Sequence, residues 1–400
     1  MTTPQDTLHQ LVTEKRLHKR MALAHTFRKQ IQGKTLPLIR SNEVIFLWEG
    51  TATSANVIGD WTHWRQQIPM KRIAGTSFFY VTQEFPLTAR LQYKFVIDGT
   101  WQNDPANPHA SQEGFGTNSE FMMPDYRDES WLHPVHIEGK PLQRGEIIRL
   151  ELETALLPDK REIFLYLPHK TSLPNISLPN TKKKLSRKAS PNLTSEPTES
   201  FPLLVIHDGS ESLSLGQFHH ILDHCIHAER VQPCVAVFIA PNLPKRNDEY
   251  TLNPNYLKFC LEEALPKALT EAKARGYEVS TKPVERCVAG ASLGGLLSTY
   301  MALHHPTEFG VVFAQSPAYW WQHGVIYNDE HLANAAQIHA ILQTGTIADA
   351  HTLTLRMRDE LKRRGAEVAY SEFVQGHTWG NWRTSFAQGI LAWVEIMKRA

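Results

Sequence analysis

The sequence predicts an α/β protein with a mostly parallel sheet, preceded by a smaller β-sandwich domain. From position 201 onward, apolar runs such as FPLLVIHDG and VAVFIAPN alternate with helical patterns. This alternation is typical of a parallel sheet with helices on both faces. Between positions 43 and 124, short apolar and aromatic runs are separated by Gly, Asp and Pro, which indicates antiparallel strands.

The domain boundaries follow these changes of pattern. Residues 1–40 carry apolar side chains at helical spacing, which predicts one or two amphipathic helices. Residues 41–125 are expected to form the sandwich, and residues 145–400 the α/β domain. Residues 169–200 are rich in Pro, Ser, Thr, Asn and Lys and nearly free of aromatics, so we expect a flexible insertion.

Composition and charge argue against several classes of protein. The 42 Lys and Arg residues balance 41 Asp and Glu residues, so no nucleic-acid partner is expected. No apolar run is long enough for a membrane span, and the N-terminus lacks a secretory signal pattern, so we expect a cytoplasmic protein without a membrane partner. The four cysteines show no ligand spacing, so neither a disulfide framework nor a metal site is expected.

A G-x-S-x-G motif at Gly290 to Gly294 lies between an apolar strand pattern and an amphipathic helix pattern. In α/β-hydrolases this motif forms a strained strand-to-helix turn that presents the serine as nucleophile. Ser292 is therefore the predicted nucleophile, and the backbone amide of Leu293 a predicted oxyanion donor. The alternative is a Gly-rich turn with a capping serine.

The acid and the base are expected downstream, because α/β-hydrolases follow the chain order Ser, acid, His. His377 lies in a Gly-bearing loop after the strand pattern VAYSEFV and is the predicted general base. Asp349 follows the strand pattern HAILQTG and is the predicted acid, although an aspartate there also suits a plain turn. The alternative acids are Asp329, Glu330 and Glu372.

A second oxyanion donor is expected after the strand pattern LLVIHDG. The backbone amide of Gly209 or Ser210 would supply it, with Asp208 ordering the loop. The HDG sequence also suits an ordinary turn.

Several motifs together resemble the esterase D-type α/β-hydrolases, which include enterochelin esterases and feruloyl esterases. They are HDG, R-x-x-E-Y from Arg246, VAGASLGG, FAQSPAYWW and GHTWGNWR, and they span residues 201–395. The MKRIAGT sequence and the paired tryptophans after FAQSPAY resemble enterochelin esterases further. The resemblance implies a cytoplasmic enzyme that hydrolyses the trilactone backbone of ferric enterobactin-like catecholate siderophores and releases iron.

The chain departs from that family at the acid, where Ala348 stands at the usual position and Asp349 one residue later, and at Thr378, where an acidic residue is common. A catecholate chelate would need basic and aromatic side chains, because guanidinium groups suit anionic oxygens and indoles suit aromatic rings. The substrate-binding candidates are Arg246, Glu249, Trp320, Trp321, Trp379, Trp382 and Arg383. Alternatively, Trp320 and Trp382 pack in the core and Arg383 pairs with Glu249.

The sandwich sequence resembles another kind of module. VIGDWTHWRQQIPM and LQYKFVIDGTWQNDPANP are similar to glycogen-binding modules, which are Ig-like sandwiches of the Early set class. Exposed Trp61, Trp64 and Trp101 would then offer platforms for sugar or catechol rings. The alternative is that these aromatics fill the sandwich or its interface.

The sequence therefore predicts a serine esterase whose partner is a small-molecule ester, such as an iron-siderophore chelate. No organic or metal cofactor is expected, because iron enters only with the substrate. Two alternatives stay open: a feruloyl or acetyl esterase acting on a decorated carbohydrate, and a non-catalytic glycan-binding protein on a hydrolase scaffold.

Overall fold

The structure is a computed structural model that describes residues 2–127, 142–169 and 200–400. The chain divides into two compact units. Unit 1 comprises Met1–Glu129, Gly345–His351 and Glu372–Asn381, and unit 2 comprises Ser130–Thr344, Thr352–Ser371 and Trp382–Ala400. The predicted insertion at 169–200 lies, apart from its end residues, outside the described residues.

Unit 1 begins with two helices and continues with two antiparallel sheets. The helices are α1 (Pro4–Thr13) and α2 (Leu17–Ile31). The strands are β1 (Leu38–Arg40), β2 (Glu43–Glu49), β3 (Ala55–Gly59), β4 (Ile68–Pro69), β5 (Lys71–Arg72), β6 (Phe78–Glu84), β7 (Arg90–Ile97), β8 (Thr100–Gln102), β9 (Ala110–Glu113) and β10 (Gly116–Met122). The sheet orders are β1-β2-β6-β5 and β4-β3-β7-β10-β9, with β8 paired to β7.

Strand β2 contributes to two apolar cores because successive side chains of a strand point to opposite faces. Val44 and Phe46 pack inside the sandwich with the aromatic side chains of β7 and β10. Ile45 and Leu47 pack on the other face against α1 and α2, where Phe27 is fully buried. The predicted N-terminal helices therefore cover one outer face of the sandwich.

A third sheet supplies the framework for the G-x-S-x-G motif. Its strands are β11 (Glu146–Leu152), β12 (Arg161–Leu167), β13 (Leu203–His207), β14 (Val235–Ile239), β15 (Arg286–Ala291), β16 (Val311–Gln315), β17 (His339–Gly345) and β18 (Glu367–Phe373). The order is β11-β12-β14-β13-β15-β16-β17-β18. The pairs from β14 to β17 are parallel, whereas β11 and β12 join antiparallel. The predicted mostly parallel sheet is confirmed.

Helices accompany these strands along the chain. They are α3 (Gly209–Ser214), α4 (Phe218–His227), α5 (Arg246–Tyr250), α6 (Pro254–Lys258), α7 (Leu265–Ala274), α8 (Leu293–His304), α9 (His351–Arg363) and α10 (Trp379–Arg399). Every residue of β13, β14, β15 and β16 is buried, which is typical of parallel strands covered on both faces. Within the described ranges, every helix is too short or too polar to cross a lipid bilayer.

All four cysteines, Cys225, Cys234, Cys260 and Cys287, are buried thiols outside any disulfide. Burial raises the pKa of Cys234 to about 12 and raises the pKa values of Cys260 and Cys287 as well. Because the thiolate is the reactive form of cysteine, these thiols are poor nucleophiles at neutral pH.

Candidate active site

Ser292 occupies the strand-to-helix turn that the motif predicts. It lies between the end of β15 and the start of α8, with φ +56° and ψ −120°. Positive φ is costly for a residue with a Cβ, by about 1–3 kcal/mol. The turn is held by Ser292 N, which donates to Gln315 O at 2.9 Å, and by Ser292 O, which accepts from Ala318 N at 2.9 Å. A side chain at Gly290 would lie 2.6 Å from the Gly294 backbone, so the motif needs a glycine there.

The HDG loop after β13 packs against the first turn of α8. A side chain at Gly294 would lie 3.1 Å from Asp208 Oδ2. A side chain at Gly209 would lie 2.7 Å from the backbone of Phe238, which leaves no room for a Cβ. The segment carrying the predicted donors Gly209 and Ser210 and the turn at Leu293 are therefore neighbours within unit 2.

Arg246 orders the HDG loop by pairing with Asp208. Its Nε and Nη2 donate to the two carboxylate oxygens at 2.5 and 2.7 Å. Burial opposes the charge of Arg246, yet the pair with Asp208 raises its pKa above the usual value. The side chain predicted for substrate binding thus already holds a carboxylate in a bidentate pair.

Glu249 lies deep in unit 2. Its carboxylate accepts hydrogen bonds from Arg161 Nη1 and Nη2 at 3.2 and 2.6 Å, and both side chains are almost fully buried. Arg383 instead donates from Nη1 to Leu215 O at 3.0 Å. The structure therefore contradicts the pairing of Arg383 with Glu249, and Glu249, predicted for substrate binding, instead forms a buried pair with Arg161.

The tryptophans predicted near the substrate differ in exposure. Trp320 is 51% exposed, and its ring centre lies 5.9 Å from that of Trp321. Trp382 is buried and donates from Nε1 to Ser316 Oγ at 3.0 Å. Trp379 is also buried, within unit 1. The alternative that both Trp320 and Trp382 pack in the core holds for Trp382 and is wrong for Trp320.

His377 and Asp349 lie together in unit 1. A hydrogen bond of 2.6 Å joins His377 Nδ1 to Asp349 Oδ1. The Asp349 side chain is fully buried, whereas that of His377 is 35% exposed. Gly345 N donates to Asp349 Oδ2 at 2.6 Å, and Ala350 N donates to Oδ1 at 2.7 Å. These bonds fix the carboxylate, and the carboxylate orients the imidazole.

Two of the alternative acids pair with other histidines. Asp329 lies between His304 Nε2 and His331 Nδ1, at 3.1 and 3.0 Å. Glu372 lies 2.8 Å from His351 Nε2. The predicted histidine and the predicted aspartate are the pair that the structure brings together.

The tryptophans of the sandwich divide into core and surface. Trp61 is partly buried and packs against the sandwich core, stacked on Phe46 with ring centres 5.3 Å apart, which agrees with the alternative that it fills the sandwich. Trp64 and Trp101 stack at 6.4 Å with an interplanar angle of 19°, and Trp101 is 47% exposed. Of the three tryptophans, Trp64 and Trp101 therefore form the stacked pair that an aromatic platform requires.

Sequence reasoning missed the polar side chains of the sandwich that contact the 372–381 segment. Asp60, Arg90 and Gln92 are buried, and Glu113 is partly buried. Arg90 and Gln92 alternate along β7 in the otherwise largely apolar pattern RLQYKFVI. Buried polar side chains of a strand need hydrogen-bond partners. The alternation of Arg90 and Gln92 with apolar residues was therefore the sequence signal for these contacts.

Asp60 makes stability depend on pH. Loss of solvation raises its pKa to about 7, and nearby Glu113 acts in the same direction. Hydrogen bonds from Gln92 N and Trp64 Nε1 and the charge of Arg90 oppose this shift without cancelling it. An aspartate in an unfolded chain ionises near pH ~3.9. Between about pH 4 and 7 the unfolded chain therefore loses a proton that the folded protein keeps, and the free energy of unfolding falls as pH rises.

We expect Asp60→Asn to remove this dependence. Relative to wild type, the variant should gain stability from about pH 4 to 7, up to about 4 kcal/mol, and the difference should stay constant above pH 7. Urea unfolding at about pH 4.5, 6 and 7.5 measures it. Asp125→Asn, the same change at an exposed position, is the matched control. A constant difference across the range would contradict the prediction.

Comparison with known proteins gives two family matches. The Esterase family model matches residues 187–393, and the model for the glycogen recognition site of AMP-activated protein kinase matches residues 42–120. The chain is 28% identical over 262 residues to the iron(III) enterobactin esterase of Escherichia coli K12, covering 64% of this chain and 61% of that protein. It is 25% identical over 285 residues to the iron(III) enterobactin esterase of Dickeya dadantii, covering 66% and 62%. The chain thus spans about three fifths of the length of these curated relatives.

Solved structures show the same fold. The enterobactin esterase of Shigella flexneri in the presence of enterobactin has a TM-score of 0.69 at 21% identity, covering 89% of this chain and 93% of that chain. The ferric enterobactin esterase of Salmonella typhimurium has a TM-score of 0.68 at 18% identity, covering 90% and 95%. The predicted α/β-hydrolase preceded by a sandwich is confirmed. Since the first family match covers more than half of the 400 residues, the chain belongs to the Esterase family.

Proposed function

We propose that the protein is a serine esterase with Ser292 as nucleophile, His377 as general base and Asp349 as the acid. The observation that carries the proposal is the strained backbone of Ser292 between β15 and α8. A serine held at positive φ is explained when its hydroxyl must project from the turn to react. The hydrogen bond between His377 Nδ1 and the buried Asp349 supports the other two roles.

Chain order and sheet order support a meeting of these residues. Ser292 follows β15 directly, whereas Asp349 and His377 each stand four residues after the ends of β17 and β18. Strands β15, β16 and β17 are parallel, and β18 is next to β17. In sheets of this kind, functional side chains collect at the carboxyl ends of the strands.

The proposed reaction is a double displacement. His377 Nε2 takes the Ser292 proton while Oγ attacks the ester carbonyl carbon, and the C–O bond breaks as the leaving alcohol takes that proton. Water then attacks the acyl-enzyme, giving a proton to His377, which returns it to Ser292 Oγ as the acid leaves. Backbone amides of Leu293 and of Gly209 or Ser210 would stabilise the oxyanion in both steps.

We further propose an ester of the catecholate siderophore type, such as ferric enterobactin, as substrate. The relatives named iron(III) enterobactin esterases support this choice. The exposed Trp320 beside Trp321 supports it as well, because indole faces suit aromatic rings. Four buried cysteines outside any disulfide agree with a reducing, cytoplasmic setting. Iron is then part of the substrate.

Comparison of three substrates tests the proposal. Purified protein should hydrolyse ferric enterobactin with a kcat/KM about 100-fold above that for a feruloyl ester and for p-nitrophenyl acetate. The reason is that the neighbouring tryptophans Trp320 and Trp321 would contact the catechol rings of that substrate. Chromatography of the products measures each rate. Faster turnover of the feruloyl ester would favour the carbohydrate esterase alternative.

A further inference from the structure

The 372–381 segment, which carries His377, is attached to the sandwich within unit 1. Glu113, the last residue of β9, accepts from Trp379 N at 2.8 Å through Oε2 and from Gly380 N at 3.3 Å through Oε1. These amides are the first two of α10 and lack partners inside the helix. Thr378 Oγ1 accepts from the third amide, Asn381 N, at 3.2 Å. A carboxylate at this end also suits the helix dipole.

Glu113 is itself held by neighbours in the sandwich. Gln92 Nε2 donates to its Oε1 at 2.6 Å, and Ser111 Oγ donates to the same oxygen at 2.9 Å. The carboxylate is therefore fixed before it meets the helix amides. A fixed acceptor loses little side-chain entropy when it orders a partner.

The other end of the segment is attached as well. Arg90 N donates to Val374 O at 3.1 Å, and Arg90 Nη1 donates to Gln375 Oε1 at 3.2 Å. A side chain at Gly376 would lie 2.6 Å from Asp60 Cγ, so the backbone there packs directly on the sandwich. His377 thus stands between two attachment points.

We propose that Glu113 is a positioning residue for the imidazole of His377. It acts by capping α10 and so fixing the turn that carries the histidine, while Arg90 fixes the preceding residues. The inference rests on the proposed role of His377 as general base. A displacement of about 1 Å at a reacting group costs on the order of 100-fold in rate, so a cap two residues away affects catalysis without touching substrate.

Glu113→Gln tests the proposal, with Glu84→Gln as matched control on an exposed position of the same sandwich. The amide keeps one acceptor and presents an NH₂ group where the carboxylate had its second acceptor, so one cap bond is lost. Active sites are titrated with a fluorophosphonate, and kcat on p-nitrophenyl acetate is calculated per titrated site. We expect this kcat to fall about 10- to 100-fold, while KM stays within about twofold of wild type.

A purely structural role would lower the titrated fraction and leave the per-site kcat in place. Equality of Glu113→Gln and Glu84→Gln in per-site kcat overturns the proposal. Glu113→Asp, which keeps the charge, should restore part of the rate and serves in place of Glu113→Gln if that variant does not fold. Ser292→Ala is measured in parallel. Turnover by Ser292→Ala overturns the proposed function and this inference together. If Ser292→Ala is inactive and Glu113→Gln has the per-site kcat of wild type, this inference alone is overturned.

Discussion

Ser292→Ala is expected to lower kcat by about 10⁵-fold or more. The substitution removes the oxygen that would attack the ester carbonyl, and no other group takes its place in the proposed reaction. Alanine has the same Cβ as serine, so the strain at φ +56° is unchanged and the protein should unfold at a similar temperature. Hydrolysis of p-nitrophenyl acetate and labelling by a fluorophosphonate measure the loss.

Ser214→Ala, an exposed serine on α3, is the control and should keep both signals. Rapid labelling of the Ser292→Ala protein by the fluorophosphonate would identify another nucleophile. Undiminished turnover would remove the assignment of Ser292.

Asp349→Asn is expected to lower kcat by about 10⁴-fold, the second large effect. Asp349 accepts from His377 and Ala350 N on Oδ1 and from Gly345 N on Oδ2. An asparagine has one acceptor oxygen and one NH₂ group. It either loses the bond from Gly345 N or points its NH₂ at His377 Nδ1, which stabilises the wrong imidazole tautomer.

Glu372→Gln is the matched control. Glu372 is the alternative acid nearest to His377 in sequence, and it pairs with His351 instead. We expect its kcat within about threefold of wild type, measured on the same ester. A large loss for Glu372→Gln together with a small loss for Asp349→Asn would reverse the assignment of the acid.

The turn at Ser292 was predictable because its determinants are local. A strand pattern, a Gly-x-Ser-x-Gly sequence and a helix pattern follow one another without interruption, and Gly290 is required where its Cβ would meet Gly294. Asp349 and His377 were chosen as acid and base because both lie in loops that follow strand patterns downstream of the serine. The structure joins them by a hydrogen bond, and their catalytic roles stay predictions.

The partners of Arg246 and Glu249 were not predictable. The two side chains lie three residues apart on the short helix α5, yet Arg246 pairs with Asp208 and Glu249 pairs with Arg161, 38 and 88 positions away. Sequence spacing shows that a charge needs a partner, but the partner depends on which strands and loops the fold brings to each side of the helix.

Trp61 and Trp64 show that sequence spacing also fails to predict the surroundings of two residues only three positions apart. Trp61 lies in a short 3₁₀ helix, Asp60–Thr62, and the next two residues, His63 and Trp64, both have positive φ. The chain direction changes within three positions, so Trp61 enters the core while Trp64 stacks on Trp101. Positive φ at residues other than glycine is uncommon and leaves little trace in sequence.

The buried thiols make this chain well suited to site-directed labelling. Because Cys225, Cys234, Cys260 and Cys287 are all inaccessible, maleimide dyes or nitroxides added to the folded protein should find no native target. A cysteine introduced at an exposed position would carry the reporter alone. Distances between the two units during turnover can then be measured by fluorescence transfer or electron paramagnetic resonance without first removing the natural cysteines.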